Sequence, residues 1–199
     1  MDFTRAAYAC AAHYSHQWPP DAGAEVAFAG RSNVGKSSAI NAIVNQKRLA
    51  HASKTPGRTR QIVFFDLDAA HRLVDLPGYG YAKAPQDLRR HWQGFIEEYL
   101  TRRACLKALV VPMDIRRPLT ELDRAMLGCC REISLPAHIL LTKADKFKRG
   151  QAANALLRAR AEVESRDGVA QLATVQLFSA IKRDGVEEAS EIIAAHLLR

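Results

Sequence analysis

Gly30-Arg31-Ser32-Asn33-Val34-Gly35-Lys36-Ser37 sets two glycines, a lysine and a hydroxyl residue at the spacing of a phosphate-binding loop. Its flanks supply the setting such a loop needs. Glu25-Val26-Ala27-Phe28-Ala29 is a short apolar run suited to a buried strand, and Ser38-Ala39-Ile40-Asn41-Ala42-Ile43-Val44 continues as a helix. Strand, loop and helix in that order aim successive backbone N–H groups, and the positive end of the helix dipole, at one point. A polyphosphate fits there. Lys36 would reach its terminal phosphates and Ser37 would offer a hydroxyl to magnesium, while Gly30 and Gly35 keep Cβ atoms away from the oxygens.

Further along, Gln46 to Arg60 is a polar stretch that reads as a mobile loop, and it holds Thr55-Pro56-Gly57-Arg58-Thr59-Arg60. Gln61 to Leu67 and Arg72 to Asp75 read as two strands of a hairpin. The second strand ends in Asp75-Leu76-Pro77-Gly78, a carboxylate and a glycine placed to hold magnesium through water and to meet a terminal phosphate with the Gly78 N–H. Such a turn is common by itself, and it gains meaning only from the phosphate loop upstream. Tyr79 to Lys83 reads as a second movable segment, and Leu88, Trp92, Phe95, Ile96, Tyr99 and Leu100 mark one face of a helix.

Strands and helices then alternate. Residues 108–113 form a strand, Thr120 and Asp123 read as a capping box opening a helix, and residues 138–141 form the next strand. That strand delivers Thr142-Lys143-Ala144-Asp145. A carboxylate at Asp145 accepts two hydrogen bonds, which guanine offers side by side through N1–H and its 2-amino group and adenine does not. Lys143 would lay its stem along the base. A helix over 152–163, a strand over 175–178, the Ser179-Ala180-Ile181-Lys182 loop with a backbone N–H for guanine O6, and a helix through Leu197 complete the chain. The pattern predicts an α/β fold, a mainly parallel sheet covered on both faces with ligands at the carboxyl ends of its strands.

Composition sets the remaining bounds. The 199 residues suffice for one domain, here 22–199, and Phe3, Ala7, Cys10 and Tyr14 at helical spacing predict an amphipathic helix within an N-terminal extension, 1–21. The extension lacks the leucine-rich centre of a signal peptide, and no apolar run is long enough for a bilayer. His13 and His16 read as surface histidines, without a carboxylate or cysteine for company. Cys10, Cys105, Cys129 and Cys130 have neither metal-ligand nor disulfide spacing, which suits a reducing cytoplasm. Lys and Arg outnumber Asp and Glu by 29 to 21, a net charge of +8 that favours an anionic partner such as RNA, although solvated helix faces account for part of it.

Taken together, the Gly30–Ser38 loop, Thr55–Thr59, Asp75-Leu76-Pro77-Gly78-Tyr79-Gly80-Tyr81-Ala82, Thr142–Asp145 and Phe178–Ala180 resemble the translation-factor-related GTPases, and more closely the EngB (YihA/YsxC) family of small bacterial GTP-binding proteins. The resemblance spans nearly the whole chain. It implies a three-layer P-loop NTPase of Ras-like form with a mainly parallel six-stranded sheet. It also implies binding of GTP and GDP with Mg2+, slow hydrolysis of GTP stimulated by ribosomal particles, and cytoplasmic work as a monomer. The implied partner is the large ribosomal subunit or its precursors, with a need in cell division and septation.

Carried over by position, Ser37, Thr59 and, through water, Asp75 become the magnesium ligands, and Lys36, Thr59 and Gly78 the catalytic groups. Arg31, Ser32, Asn33, Val34, Ser38, Gly57, Arg58, Arg60, Gln61, Leu76 and Pro77 line the nucleotide, and Asp145 reads guanine. Arg60 stands where the family more often carries glutamine. Asn33 occupies the position at which related potassium-stimulated GTPases bind K+. Tyr79 replaces the water-orienting glutamine of many GTPases, which is the reason to expect slow intrinsic hydrolysis. The rival readings are an RNA-binding scaffold that uses nucleotide only for folding, and an ATPase.

Overall fold

A computed structural model describes residues 1–51, 61–79, 86–165 and 172–199, with residues 86–93 described only by their helical backbone. Seven strands form one sheet: β1 (Ala7–Ala12), β2 (Ala24–Phe28), β3 (Ile62–Asp66), β4 (His71–Asp75), β5 (Leu106–Asp114), β6 (Ala137–Thr142) and β7 (Ala173–Leu177). Their order across the sheet is β1-β3-β4-β2-β5-β6-β7. The β3–β4 hairpin is antiparallel as the sequence predicts, β1 pairs antiparallel with β3, and β4, β2, β5, β6 and β7 are parallel. β3 alone runs against the rest.

Five α-helices cover the sheet: α1 (Lys36–Ile43), α2 (Gln86–Arg102), α3 (Glu121–Glu132), α4 (Arg149–Glu164) and α5 (Val186–Leu197). Alternate residues of each strand point to opposite faces, so the central strands read as continuous apolar runs. In β5, Leu109, Val111 and Met113 join Phe95, Tyr99, Leu127 and Ala159 in one core layer, beneath α2, α3 and α4. Ala108 and Val110 turn the other way, into a second layer with Ile40, Ile43, Ala189 and Ile193 from α1 and α5. Every strand end that carries chemistry is thereby held between two packed layers.

The amino end departs from expectation. Residues 7–12 are a strand, not part of a helix, and the sheet has seven strands rather than six. Alanine-rich helical spacing loses here because the open edge of β3 offers backbone partners to the whole segment. The strand also turns Cys10 and Ala12 inward against Ile62 and Phe64. The segment that follows is stapled to the end of α2. Trp18 lies edge-on to Tyr99 at 5.4 Å, Arg103 donates to the Pro19 and Pro20 carbonyls at 2.8 and 3.2 Å, and the Asp21 carboxylate accepts from the Ala104 and Cys105 amides.

Beneath that staple lies a buried polar knot. Glu25 is wholly enclosed, and its carboxylate accepts from Arg103 Nε at 2.9 Å and NH2 at 2.6 Å, from the Tyr99 hydroxyl at 2.8 Å and from Arg72 NH1 at 3.3 Å. A buried ionised carboxylate persists only with such partners. The four cysteines are free thiols, with Cys105 and Cys130 packed inside and each pushed up to about 12 by burial. No described helix is long and apolar enough to cross a membrane.

Candidate functional site

The loop between β2 and α1 turns at Gly35, whose φ of +100° lies in the left-handed region that L side chains rarely adopt. Gly30 is required for a different reason: a Cβ there would lie 3.1 Å from both the Pro112 carbonyl oxygen and Val34 Cγ2. The loop wraps a cavity of about 280 Å³ lined by Arg31, Ser32, Asn33, Gly35, Lys36, Ser37 and Ser38 on one side and by Asp75, Leu76, Pro77 and Gly78 on the other. The N–H groups of Asn33, Gly35, Lys36, Ser37 and Ser38 have no hydrogen-bond acceptor among the described residues, and the Ser32 hydroxyl is buried without a partner. Unpaired donors around a concave wall are what a polyphosphate satisfies.

Lys36 and Asp75 face each other across this wall as an ion pair. The lysine of the phosphate loop and the carboxylate ending β4 are therefore within reach of one ligand. Ser37, with its hydroxyl on the same loop, adds a second of the oxygens expected to serve magnesium, which takes few protein ligands and keeps several waters. Among the described residues no cluster of three or more His, Cys, Asp or Glu forms a metal site. Gly78 is pressed against the loop, 3.4 Å from Ser32 Oγ measured to the position a Cβ would take. Thr55, Gly57, Arg58, Thr59 and Arg60, and the Gly80–Lys83 stretch, lie outside the described residues. Gln61 is described: it lines the cavity, and its side-chain amide donates to His13 Nε2 at 2.7 Å. His13 and His16 are exposed, as expected.

At the other end, β6 delivers its four site residues into a cluster. Thr142 is buried, with Oγ1 at 2.5 Å from the Val34 carbonyl oxygen, and so fastens the phosphate loop to the sheet. Lys143, at φ 60°, sends Nζ back to the Asn33 carbonyl at 2.8 Å and to Asp114 Oδ2 at 2.9 Å, so its stem forms a wall of the cavity. Ala144 donates its amide to the Phe178 carbonyl at 3.2 Å, joining the two turns. Asp145 accepts from Ser179 Oγ at 2.6 Å, and this bond holds its carboxyl below the usual range. Ser179 is fully buried, and the Ala180 N–H beside it has no acceptor among the described residues. A fixed carboxylate next to a free amide matches the donor and acceptor edges of guanine.

Two residues that sequence reading did not assign to the site bear on it. Asp114 at the end of β5 anchors Lys143, and Arg116 beside it, then Lys143, hold its carboxyl well below the ordinary carboxylate range. Its place at a strand end beside the phosphate loop was the available signal. Asp123 was read as a capping residue, and it does cap: Thr120 N and Oγ1 lie 3.0 and 2.8 Å from its Oδ2. It also receives Arg31 Nε at 3.1 Å and the Tyr79 hydroxyl at 3.1 Å, which draws the Arg31 guanidinium away to α3.

A mainly parallel sheet with a phosphate loop after β2, a carboxylate–glycine turn after β4 and a guanine-type carboxylate after β6 defines a P-loop GTPase. Residues 25–143 match the model of the family described as 50S ribosome-binding GTPases. The chain is 55% identical over 193 residues to the probable GTP-binding protein EngB of Stenotrophomonas maltophilia (strain K279a), covering 97% of this chain and 96% of that protein. It is likewise 55% identical to its counterpart in Xanthomonas euvesicatoria pv. vesicatoria (strain 85-10), over 97% of this chain and 92% of that one. The crystal structure of a probable GTP-binding protein EngB superposes with a TM-score of 0.70 at 23% identity, covering 87% of this chain and 98% of that chain, a likeness of fold. The chain belongs to the EngB family of GTP-binding proteins.

Proposed function

We propose that this GTPase is a slow, magnesium-dependent switch that binds precursors of the large ribosomal subunit in its GTP form and releases them after hydrolysis, working in the cytoplasm in support of division and septation. The observation that carries the reading is the placement of Lys36, Asp75, Gly78 and Lys143 around one cleft, with Asp145, fixed by Ser179, on the turn that follows Lys143. A guanine nucleotide spans such a cleft with its phosphates on the loop and its base at Asp145.

In hydrolysis, Lys36 and the loop amides neutralise charge on the phosphates, and the Gly78 N–H donates to the terminal one. Ser37, Asp75 through water and Thr59 would hold magnesium, which when bound supplies further charge neutralisation between the phosphates. Tyr79 contributes no water-orienting group, because its hydroxyl is spent on Asp123. Low intrinsic turnover follows, and stimulation by the docked particle supplies what position 79 lacks. The net charge of +8 and the family's description as ribosome-binding support an RNA-rich partner.

The test is GTP turnover with and without large-subunit particles. A marked rise on adding particles supports the switch. Unchanged turnover would favour the alternative, an RNA-binding scaffold that needs nucleotide only to fold.

A further inference from the structure

Asp123 gathers groups from the two segments that meet at the phosphate end of the cleft. It is wholly buried, and its two oxygens accept from Arg31 Nε at 3.2 and 3.1 Å while Oδ1 accepts from the Tyr79 hydroxyl at 3.1 Å. The main chain repeats the connection: the Tyr79 N–H donates to the Gly30 carbonyl and the Ser32 N–H to the Tyr79 carbonyl, each at 3.2 Å. Gly78, one residue before these anchors, has an N–H without an acceptor among the described residues, and it lines the cleft.

We propose that Asp123 is a positioning residue for recognition of the terminal phosphate: by holding Tyr79 and Arg31 against α3, it presents the Gly78 amide to that phosphate in advance of binding. The inference rests on the guanine-nucleotide reading of the cleft. A donor already in place is bound without the ordering cost that a loose turn would carry. GDP lacks the phosphate that Gly78 would meet, so the clamp raises affinity for GTP over GDP. A carboxylate that served only to cap α3 would leave that ratio alone.

The experiment compares dissociation constants for GDP and a non-hydrolysable GTP analogue in the full chain. Tyr79→Phe keeps the ring and removes only the hydroxyl, leaving Asp123 with Arg31 and Thr120. It is expected to lower analogue affinity about five- to tenfold and to leave GDP affinity within about twofold. Asp123→Asn, which also weakens the Arg31 contact, shifts the ratio in the same direction. If Tyr79→Phe leaves the ratio unchanged, or both nucleotides lose equally, Asp123 is a helix cap and the proposal fails. Wild-type protein that binds neither guanine nucleotide would remove the reading of the cleft, and the clamp with it.

Discussion

Ser179 Oγ donates a 2.6 Å hydrogen bond to Asp145 Oδ1 and so ties the turn after β7 to the turn after β6. The bond fixes which carboxylate edge remains for a base. In Asp145→Asn, Ser179 can keep its acceptor in Oδ1, which leaves the amide NH2 directed towards the ligand. A donor there opposes the guanine amino group and suits the O2 of xanthine. GTP affinity is expected to fall about 10- to 100-fold, with preference shifting to xanthosine nucleotides. A competition assay measures it, and unchanged guanine preference would take Asp145 out of the pocket.

Glu25 and Arg103 make the second prediction. Their two-point contact is sealed from solvent at the start of β2, at the opposite end of that strand from the phosphate loop. Removing one partner strands the other charge in the interior. Glu25→Ala should lower the unfolding free energy by about 3–5 kcal/mol in urea melts without nucleotide. Nucleotide affinity per folded molecule should change little. A loss below about 1 kcal/mol would mean that water or rearrangement compensates Arg103.

His138 gives a pH dependence. It is buried in β6 between Thr174 Oγ1 and Gln176 Oε1, each 2.7 Å from a ring nitrogen, and burial lowers it to about 4. In the unfolded chain it takes up a proton near pH 6.5, so between pH 6.5 and 4 the unfolded state binds more protons than the folded one. Its contribution is fully present above pH 6.5 and is lost as pH falls towards 4, at most about 3 kcal/mol. His138→Gln should flatten that slope, leaving the smaller share of His196, which burial also lowers. Denaturant melts at a series of pH values decide; an unaltered slope would place the titration elsewhere.

Much of the site was legible because its signals are local. The Gly30–Ser37 spacing, the Asp75–Gly78 turn and the Thr142–Asp145 run each state their chemistry within a few residues, and each sits at a strand end whose apolar pattern is equally local. The misread strand β1 shows the opposite case. Phe3, Ala7, Cys10 and Tyr14 obey helical spacing, and only the distant β3 edge, contacting residue 7 through residue 66, decides otherwise.

Asp123 was half legible for the same reason. Its cap to Thr120 spans three residues and appears in the sequence, whereas its bonds to Arg31 and Tyr79 span 92 and 44 residues. No local pattern records such a contact. Asp114 likewise acquires its role only when β6 lies beside β5 and brings Lys143 to it.

Asn33, at φ 65° with its carbonyl taken by Lys143, carries the potassium expectation. Hydrolysis faster in K+ than in Na+ at matched ionic strength would support a monovalent ion beside the phosphates. Equal rates with and without ribosomal particles would exclude it.

Nucleotide-dependent docking is tested most directly by co-sedimentation with large ribosomal subunits across a salt series. The GTP-analogue form should pellet more than the GDP form at each ionic strength. Both should weaken steeply as salt rises, since phosphate contacts release counterions. Thr59→Ala, which removes the expected magnesium contact and no basic side chain, should erase the difference while keeping weak, salt-sensitive binding. Equal sedimentation of the two wild-type forms at every salt concentration would contradict the switch.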